Sequence, residues 1–200
     1  SRTDIVQTFQ IYNNDSGAPA NYVSSSNFFS IDRFGASSAV HNGYIYVVGG
    51  CIGTADCNNA TNAVEYSLLN SDGTLGSWLT ATAALPADRV FGQLEIVGGT
   101  LYFIGGQDDA EAAQTNVYYA TPSGGNISSW SSASNNLPAA RTQISSAVWN
   151  NRIYVVGGSN ATVAQNTIYI SPVLSAGGNI TSAWTTGTAF NVARSGQTTI

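Results

Sequence analysis

The sequence predicts an all-β protein made of one four-stranded unit repeated along the chain. Three observations carry that expectation. One phrase occurs three times, as Tyr44-Ile-Tyr-Val-Val-Gly-Gly50, Thr100-Leu-Tyr-Phe-Ile-Gly-Gly106 and Arg152-Ile-Tyr-Val-Val-Gly-Gly158, with the copies 56 and 52 residues apart. Trp78, Trp130 and Trp184 recur at steps of 52 and 54. Arg33, Arg89, Arg141 and Arg194 recur at 56, 52 and 53, and each of the first three stands 16 residues before the first glycine of its pair. A shared period of this length signals a repeat architecture. A residue that recurs at one repeat position belongs to the scaffold, and a residue that occurs once is the better place to look for function.

The stretch from Arg89 to Trp130 shows how one unit reads. A first strand runs through Phe91–Val97. Gly98-Gly99 then makes a two-residue hairpin, matched by Asn42-Gly43 and Asn150-Asn151, residues that tolerate the positive φ of a type I′ turn. The second strand is Leu101–Ile104, closed by Gly105-Gly106, and a polar loop follows from Gln107 to Gln114. The third strand is Asn116–Ala120, with a glycine-rich turn at Ser123–Asn126. The fourth strand carries Trp130, and Leu137-Pro138 leads to the next arginine. Four short antiparallel strands without helical periodicity make a propeller blade.

These landmarks together resemble the kelch repeat: an arginine opening a strand, an apolar-Tyr-apolar-apolar-Gly-Gly strand, a tyrosine-bearing third strand and a tryptophan in the fourth. The resemblance covers nearly the whole chain and implies a kelch-type β-propeller. Residues 33–88, 89–140 and 141–193 then form three complete blades. Residues 1–32 supply the last two strands of a divergent blade, with Tyr22 in the tryptophan place, and residues 194–200 open a further one. Kelch propellers usually close with six or seven blades. The chain starts at Ser1 and stops at Ile200 before a fourth double glycine, so the expectation is a partial propeller cut from a longer chain.

Strand alternation sorts the connections into two faces. The four arginines and the loops Cys51–Thr61, Gln107–Gln114 and Ser159–Gln165 fall on one side, and the short hairpins on the other. Variable loops on a rigid frame are where binding usually resides.

Composition narrows the partners. The net charge is −5, and the six basic residues are all arginine, which argues against a nucleic-acid groove or a basic membrane patch. Charged residues are only 8%, so Ser, Thr, Asn and Gly must make up much of the surface, as on many secreted and cell-surface β proteins. No apolar run reaches the roughly 18–20 residues of a membrane-spanning helix, and no membrane insertion is expected.

Each candidate site has a plainer reading beside it. In some kelch proteins an arginine at this motif position helps bind acidic peptides, which the resemblance extends to Arg33, Arg89, Arg141 and Arg194; repetition favours a scaffold role, bonding carbonyls or an adjacent acid such as Asp32 or Asp88. Cys51 and Cys57 have too few metal-ligating neighbours for zinc, and a local disulfide is the preferred reading. Asp108, Asp109 and Glu111 form the densest acidic group, read as a solvated loop more readily than as a calcium site. The Asn70–Thr74 segment reads as turn chemistry. Glu95 lies in the innermost strand where the other repeats have Ala39 and Ala147; it needs a partner or channel water, and reads as a paired structural acid more readily than as a functional one. Sequons occur at Asn14, Asn59, Asn126, Asn160 and Asn179, about as many as this composition gives by chance.

Catalytic sets are weak. Galactose oxidase-like kelch proteins use copper with two histidines, and this segment has only His41. The same residue lacks partners for a serine triad. No metal or cofactor is expected. The preferred reading is a non-enzymatic binding or structural module, extracellular or on the cell surface, that contacts protein or glycan. Two alternatives stay open: a carbohydrate-active propeller enzyme with catalytic residues in missing blades, and an assembly subunit whose propeller is completed by other copies or segments.

Overall fold

The computed structural model describes residues 7–9, 22–24, 30, 32–53, 57–175 and 177–196. Among them are three four-stranded antiparallel sheets and no helix. The first blade contains Ser37–His41, Tyr44–Val48, Val64–Leu68 and Leu79–Thr80. The second contains Gln93–Val97, Thr100–Ile104, Val117–Ala120 and Ser131–Ser132, and the third Ser145–Trp149, Arg152–Val156, Ile168–Ile170 and Thr185–Thr186. Strands pair in chain order within each blade. Gln7–Phe9 pairs with Tyr22–Ser24, and Arg33–Phe34 with Cys51–Ile52, as separate two-stranded pieces. The expected place of the Tyr22 side chain lies outside the described residues.

The hairpins form as the turn chemistry demands. Asn42 and Gly43 have φ of 48° and 78°, Gly98 and Gly99 58° and 83°, and Asn150 and Asn151 50° and 55°. Both central residues of each turn are left-handed, the mark of a type I′ hairpin.

One boundary differs from the sequence reading. The outer strands start one residue after the tryptophans, at Leu79, Ser131 and Thr185. They are two-residue edge strands, so the tryptophans enter the sheet rather than lie within it.

The blades pack face to face. Side chains alternate across each sheet, so one face meets the preceding blade and the other the following blade. Tyr46, Val48, Val64 and Tyr66 of the first blade pack on Leu94, Leu101, Phe103 and Tyr118 of the second. Tyr102, Ile104 and Val117 of the second pack on Ile153, Val155 and Tyr169 of the third.

The double glycine couples one blade to the next. The N–H groups of Gly50, Gly106 and Gly158 donate to the carbonyl oxygens of Arg89, Arg141 and Arg194 at 2.8, 2.9 and 3.0 Å. Gly105 has φ of +60°, and a Cβ there would stand 2.6 Å from the Arg141 oxygen. Gly105→Ala is therefore expected to cost more than the about 1–2 kcal/mol of left-handed strain alone. Gly98→Ala is the control, because its Cβ would meet nothing within 4 Å. Chemical denaturation of the two variants separates strain from collision, and equal losses would contradict the docking role.

Candidate loop-face binding site

The arginines are built into the scaffold. Arg89 and Arg141 are buried, at 5% and 4% exposure. Nη1 of Arg89 donates to the main-chain oxygen of Asp88 at 2.6 Å, and Nη2 donates to Asn116 Oδ1 and the Tyr118 hydroxyl at 3.0 and 3.2 Å. Arg141 repeats the pattern with the Ala140 oxygen, Thr167 Oγ1 and the Tyr169 hydroxyl at 2.8, 2.8 and 2.9 Å. Each guanidinium also stands over its tyrosine ring, at 5.7 and 5.0 Å.

In the first blade, Glu65 replaces that tyrosine. Arg33 Nη2 forms an ion pair with Glu65 Oε2, and both side chains are buried. Burial lowers the Arg33 pKa, with Glu65 pulling the other way. Glu65 Oε1 accepts from the Ser30 N–H and hydroxyl at 2.8 and 2.7 Å. Arg194 differs: its residue is exposed, and its side chain donates to the Val192 oxygen at 3.3 Å beside Phe190.

The loops on this side brace one another. Cys51 and Cys57 form a disulfide buried with Ala60 and Val90, against Phe34 and Phe91. Asp108 is not simply solvated. Its Oδ1 accepts from the Ala110 and Ala112 N–H groups at 3.0 Å, and its Oδ2 from Gln114 Nε2 at 2.8 Å. Asp109 accepts from the Ala60 N–H and so ties this loop to the disulfide loop of the preceding blade. Glu111 is exposed. Among the described residues no three His, Cys, Asp or Glu side chains are grouped to hold a metal ion.

The Asn70–Thr74 turn is held by its own side chains. Asp72 Oδ1 accepts from the Thr74 N–H and hydroxyl, bonds that lower the Asp72 pKa.

The inner strands of neighbouring blades run side by side. Ser37 Oγ donates to the Gly92 oxygen, and Gln93 Nε2 to the Ile144 oxygen. Glu95 finds its partner in the third blade, where Ser146 Oγ donates to Glu95 Oε1. Burial raises the Glu95 pKa, and the Ser146 bond opposes it. A carboxyl with a raised folded-state pKa burdens the folded state once ionised. Its cost is absent below the unfolded pKa and complete above the folded one. Glu95→Gln keeps an acceptor for Ser146 and removes the charge. We expect it to raise the melting temperature at pH 7 and leave it nearly unchanged near pH 3. An equal gain at both pH values would contradict this origin.

Two residues beyond each arginine, the chain turns left-handed in every repeat. Gly35, Phe91, Gln143 and Gly196 have φ of 65°, 58°, 50° and 67°. The N–H of Phe91 donates to the Gly35 oxygen, that of Gln143 to the Phe91 oxygen and that of Gly196 to the Gln143 oxygen, each at 2.9 Å. These bonds run from blade to blade around the inner rim of the loop face. The rim borders an open cavity of about 460 Å³, lined by Gly35, Ala36, Phe91, Gly92, Gln93, Gln143, Ile144 and Gly196. None of these side chains is charged.

The kelch motif model matches residues 32–66 and 140–170. Two of the chain's three blades carry the kelch motif. The two matches fall in the first and third blades, and the second blade shares their strand order and the Arg–Tyr pairing of the third. A solved structure described as "Structure of YjhT" is similar in fold, with 14% identity and a TM-score of 0.67. The alignment covers 84% of this chain and 56% of that one, so the kelch segment spans little more than half of that protein's length. No curated protein matches in sequence.

Two features of these kelch blades escaped the sequence reading. At the rim, the one sequence signal for Phe91 and Gln143 is glycine at the equivalent positions 35 and 196, which hints at left-handed backbone. Asn126 and Asn179, both sequon positions, also brace adjacent blades. Asn126 accepts from the Thr82 N–H and donates to its hydroxyl, both at 2.9 Å, and Asn179 repeats this with Ser134 at 2.9 and 3.0 Å. Each amide gives its oxygen and one N–H to the brace. Asn59 and Asn160 are exposed, and Asn160 Oδ1 accepts from the Thr162 and Val163 N–H groups. Asn14 lies outside the described residues.

Proposed function

We propose that this kelch segment is a non-enzymatic binding module whose partner, a protein or glycan, docks on the loop face. The observation that carries this reading is the cavity at the inner rim, on the side that holds the long loops. Small-ligand sites are concave pockets of about 300–1,000 Å³ with few polar groups. The loops around it differ between blades, while the scaffold beneath repeats, so specificity can vary without disturbing the core. The disulfide and the low charge favour a secreted or cell-surface setting, because disulfides persist in oxidising compartments.

We read the blade divisions as 33–88, 89–140 and 141–193, with 1–32 and 194–200 belonging to neighbouring blades. Two observations support continuation beyond residue 193. Gly158 and Gln143 already bond Arg194 and Gly196 as earlier repeats bond their successors. The outward face of the third blade carries Tyr154, Val156, Ile168 and Ile170, all half-buried.

Surface display against arrays of glycans and extracellular proteins tests the face. Binding should fall with Glu111→Arg and Val163→Arg at the loop tips, and survive Trp149→Ser at the opposite hairpin. The reverse pattern would place the partner on the turn face.

A further inference from the structure

We propose that the rim cavity binds an uncharged pyranose unit, stacked on Phe91 and hydrogen-bonded by the amides of Gln143 and Gln93. This rests on the loop-face reading above and names its ligand class.

The lining residues are glycine, alanine, phenylalanine, isoleucine and glutamine. Of the arginines that flank the rim in sequence, Arg194 is exposed but outside the lining, and the other three are committed to the scaffold. Arg33 is paired with Glu65, and the terminal nitrogens of Arg89 and Arg141 are bonded within their own blades. An anionic ligand would enter without a partner for its charge, at a desolvation cost that neutral hydroxyls largely avoid.

Phe91 and Gln143 hold φ of 58° and 50°, where glycine serves in the equivalent repeats. Bulky residues in this region are costly and persist where the surroundings or a function demand them. At Phe91 the surroundings are clear. A Cβ on Gly35 would stand 2.6 Å from the Phe91 ring, so Gly35 makes room for that ring. Phe34 meets it edge-on at 5.9 Å. The ring is thereby fixed at the cavity wall, against the disulfide cluster. Gln143 has no such support. It is exposed, and its side-chain amide has no hydrogen-bond partner among the described residues.

An aromatic face carries negative quadrupole density, which attracts the polarised C–H groups on one side of a pyranose ring. An amide offers both a donor and an acceptor, matching vicinal hydroxyls. Gln93 spends one N–H of its amide on the Ile144 oxygen and keeps Oε1 as an acceptor. Aromatic platform, free amide and lone acceptor meet at one opening without a charge.

Saturation-transfer NMR with the methyl glycosides of glucose, galactose, mannose and N-acetylglucosamine tests this, beside glucuronate and a poly-glutamate peptide as acidic probes. At least one neutral glycoside should bind, with its C–H face most strongly saturated. Phe91→Ala should weaken it about tenfold. Gln143→Gly is the sharper variant. It should weaken binding about fivefold while raising the melting temperature by about 2–4 °C, because glycine relieves the left-handed strain. A residue with only a structural role would not lose binding while gaining stability. Absence of binding by every neutral glycoside overturns the proposal, as does binding that Gln143→Gly leaves intact. If an acidic probe alone binds, and Glu111→Arg or Val163→Arg alters that binding, the pyranose assignment fails while the loop-face reading stands. If a glycoside binds and only Trp149→Ser abolishes it, both fail.

Discussion

Replacing Glu65 with alanine is expected to destabilise the chain by about 3–5 kcal/mol, the range for removing one partner of a buried ion pair. The Glu65 and Arg33 side chains are 2% and 0% exposed, so water cannot replace the lost carboxylate. Arg33 would keep its bond to the Ala63 oxygen at 3.3 Å, a weak substitute for a full counter-charge. The Ser30 N–H and hydroxyl would lose their shared acceptor as well. Glu65→Tyr is the informative companion. Arg89 and Arg141 each bond a tyrosine hydroxyl at the equivalent position and stand over its ring. The tyrosine should therefore recover part of the loss by giving Arg33 the environment used in the other blades. Urea denaturation of the two variants and the parent measures both effects. A Glu65→Ala loss below about 1 kcal/mol would mean that the pair behaves as a solvated surface bridge.

The same comparison shows what a single sequence can carry. The double glycine was legible because its chemistry is local: Gly105 and Gly106 are left-handed, and no side chain fits against the Arg141 oxygen. The hairpins were legible for the same reason. The recurrence of arginine pointed to the scaffold, but its partners did not show. Tyr118, Tyr169 and Glu65 come from third strands, and the pairing requires the strands to fold back beside the arginine. The expected help from Asp88 took another form, since its main-chain oxygen accepts the bond. The bracing role of Asn126 and Asn179 was hidden, because a sequon and an inter-blade brace use the same residue types. The rim was the hardest to see. A position occupied by Gly, Phe, Gln and Gly looks unconserved along the chain, and only the shared φ and the ladder of blade-to-blade bonds reveal it as one structural place. The disulfide was readable from isolation of the two cysteines, whereas its packing beneath Phe91 was not.

Trp184→Ala is expected to cost about 3–5 kcal/mol, the range for truncating a buried tryptophan. The residue is 7% exposed and belongs to the apolar cluster between the second and third blades. Its Nε1–H donates to the Asn135 oxygen at 3.2 Å, so the ring also bonds the preceding blade. Trp184→Phe separates these contributions. It retains an aromatic filler and removes the donor, and should lose about 1–2 kcal/mol through the unpaired oxygen and reduced volume. The repeat predicts equal roles for Trp78, Trp130 and Trp184, but their environments are unequal. Trp130 is half-buried against the cluster between the first and second blades, and Trp78 is half-buried too. Trp78→Ala should therefore cost less than Trp184→Ala, because a half-exposed ring leaves a smaller void and has less apolar surface to lose. Denaturant midpoints of the three alanine variants give the ranking directly. A Trp184→Ala loss below about 1 kcal/mol would move that ring from the core to the surface. A larger loss at Trp78 than at Trp184 would show that repeat position, rather than local burial, sets the energetic weight of these tryptophans.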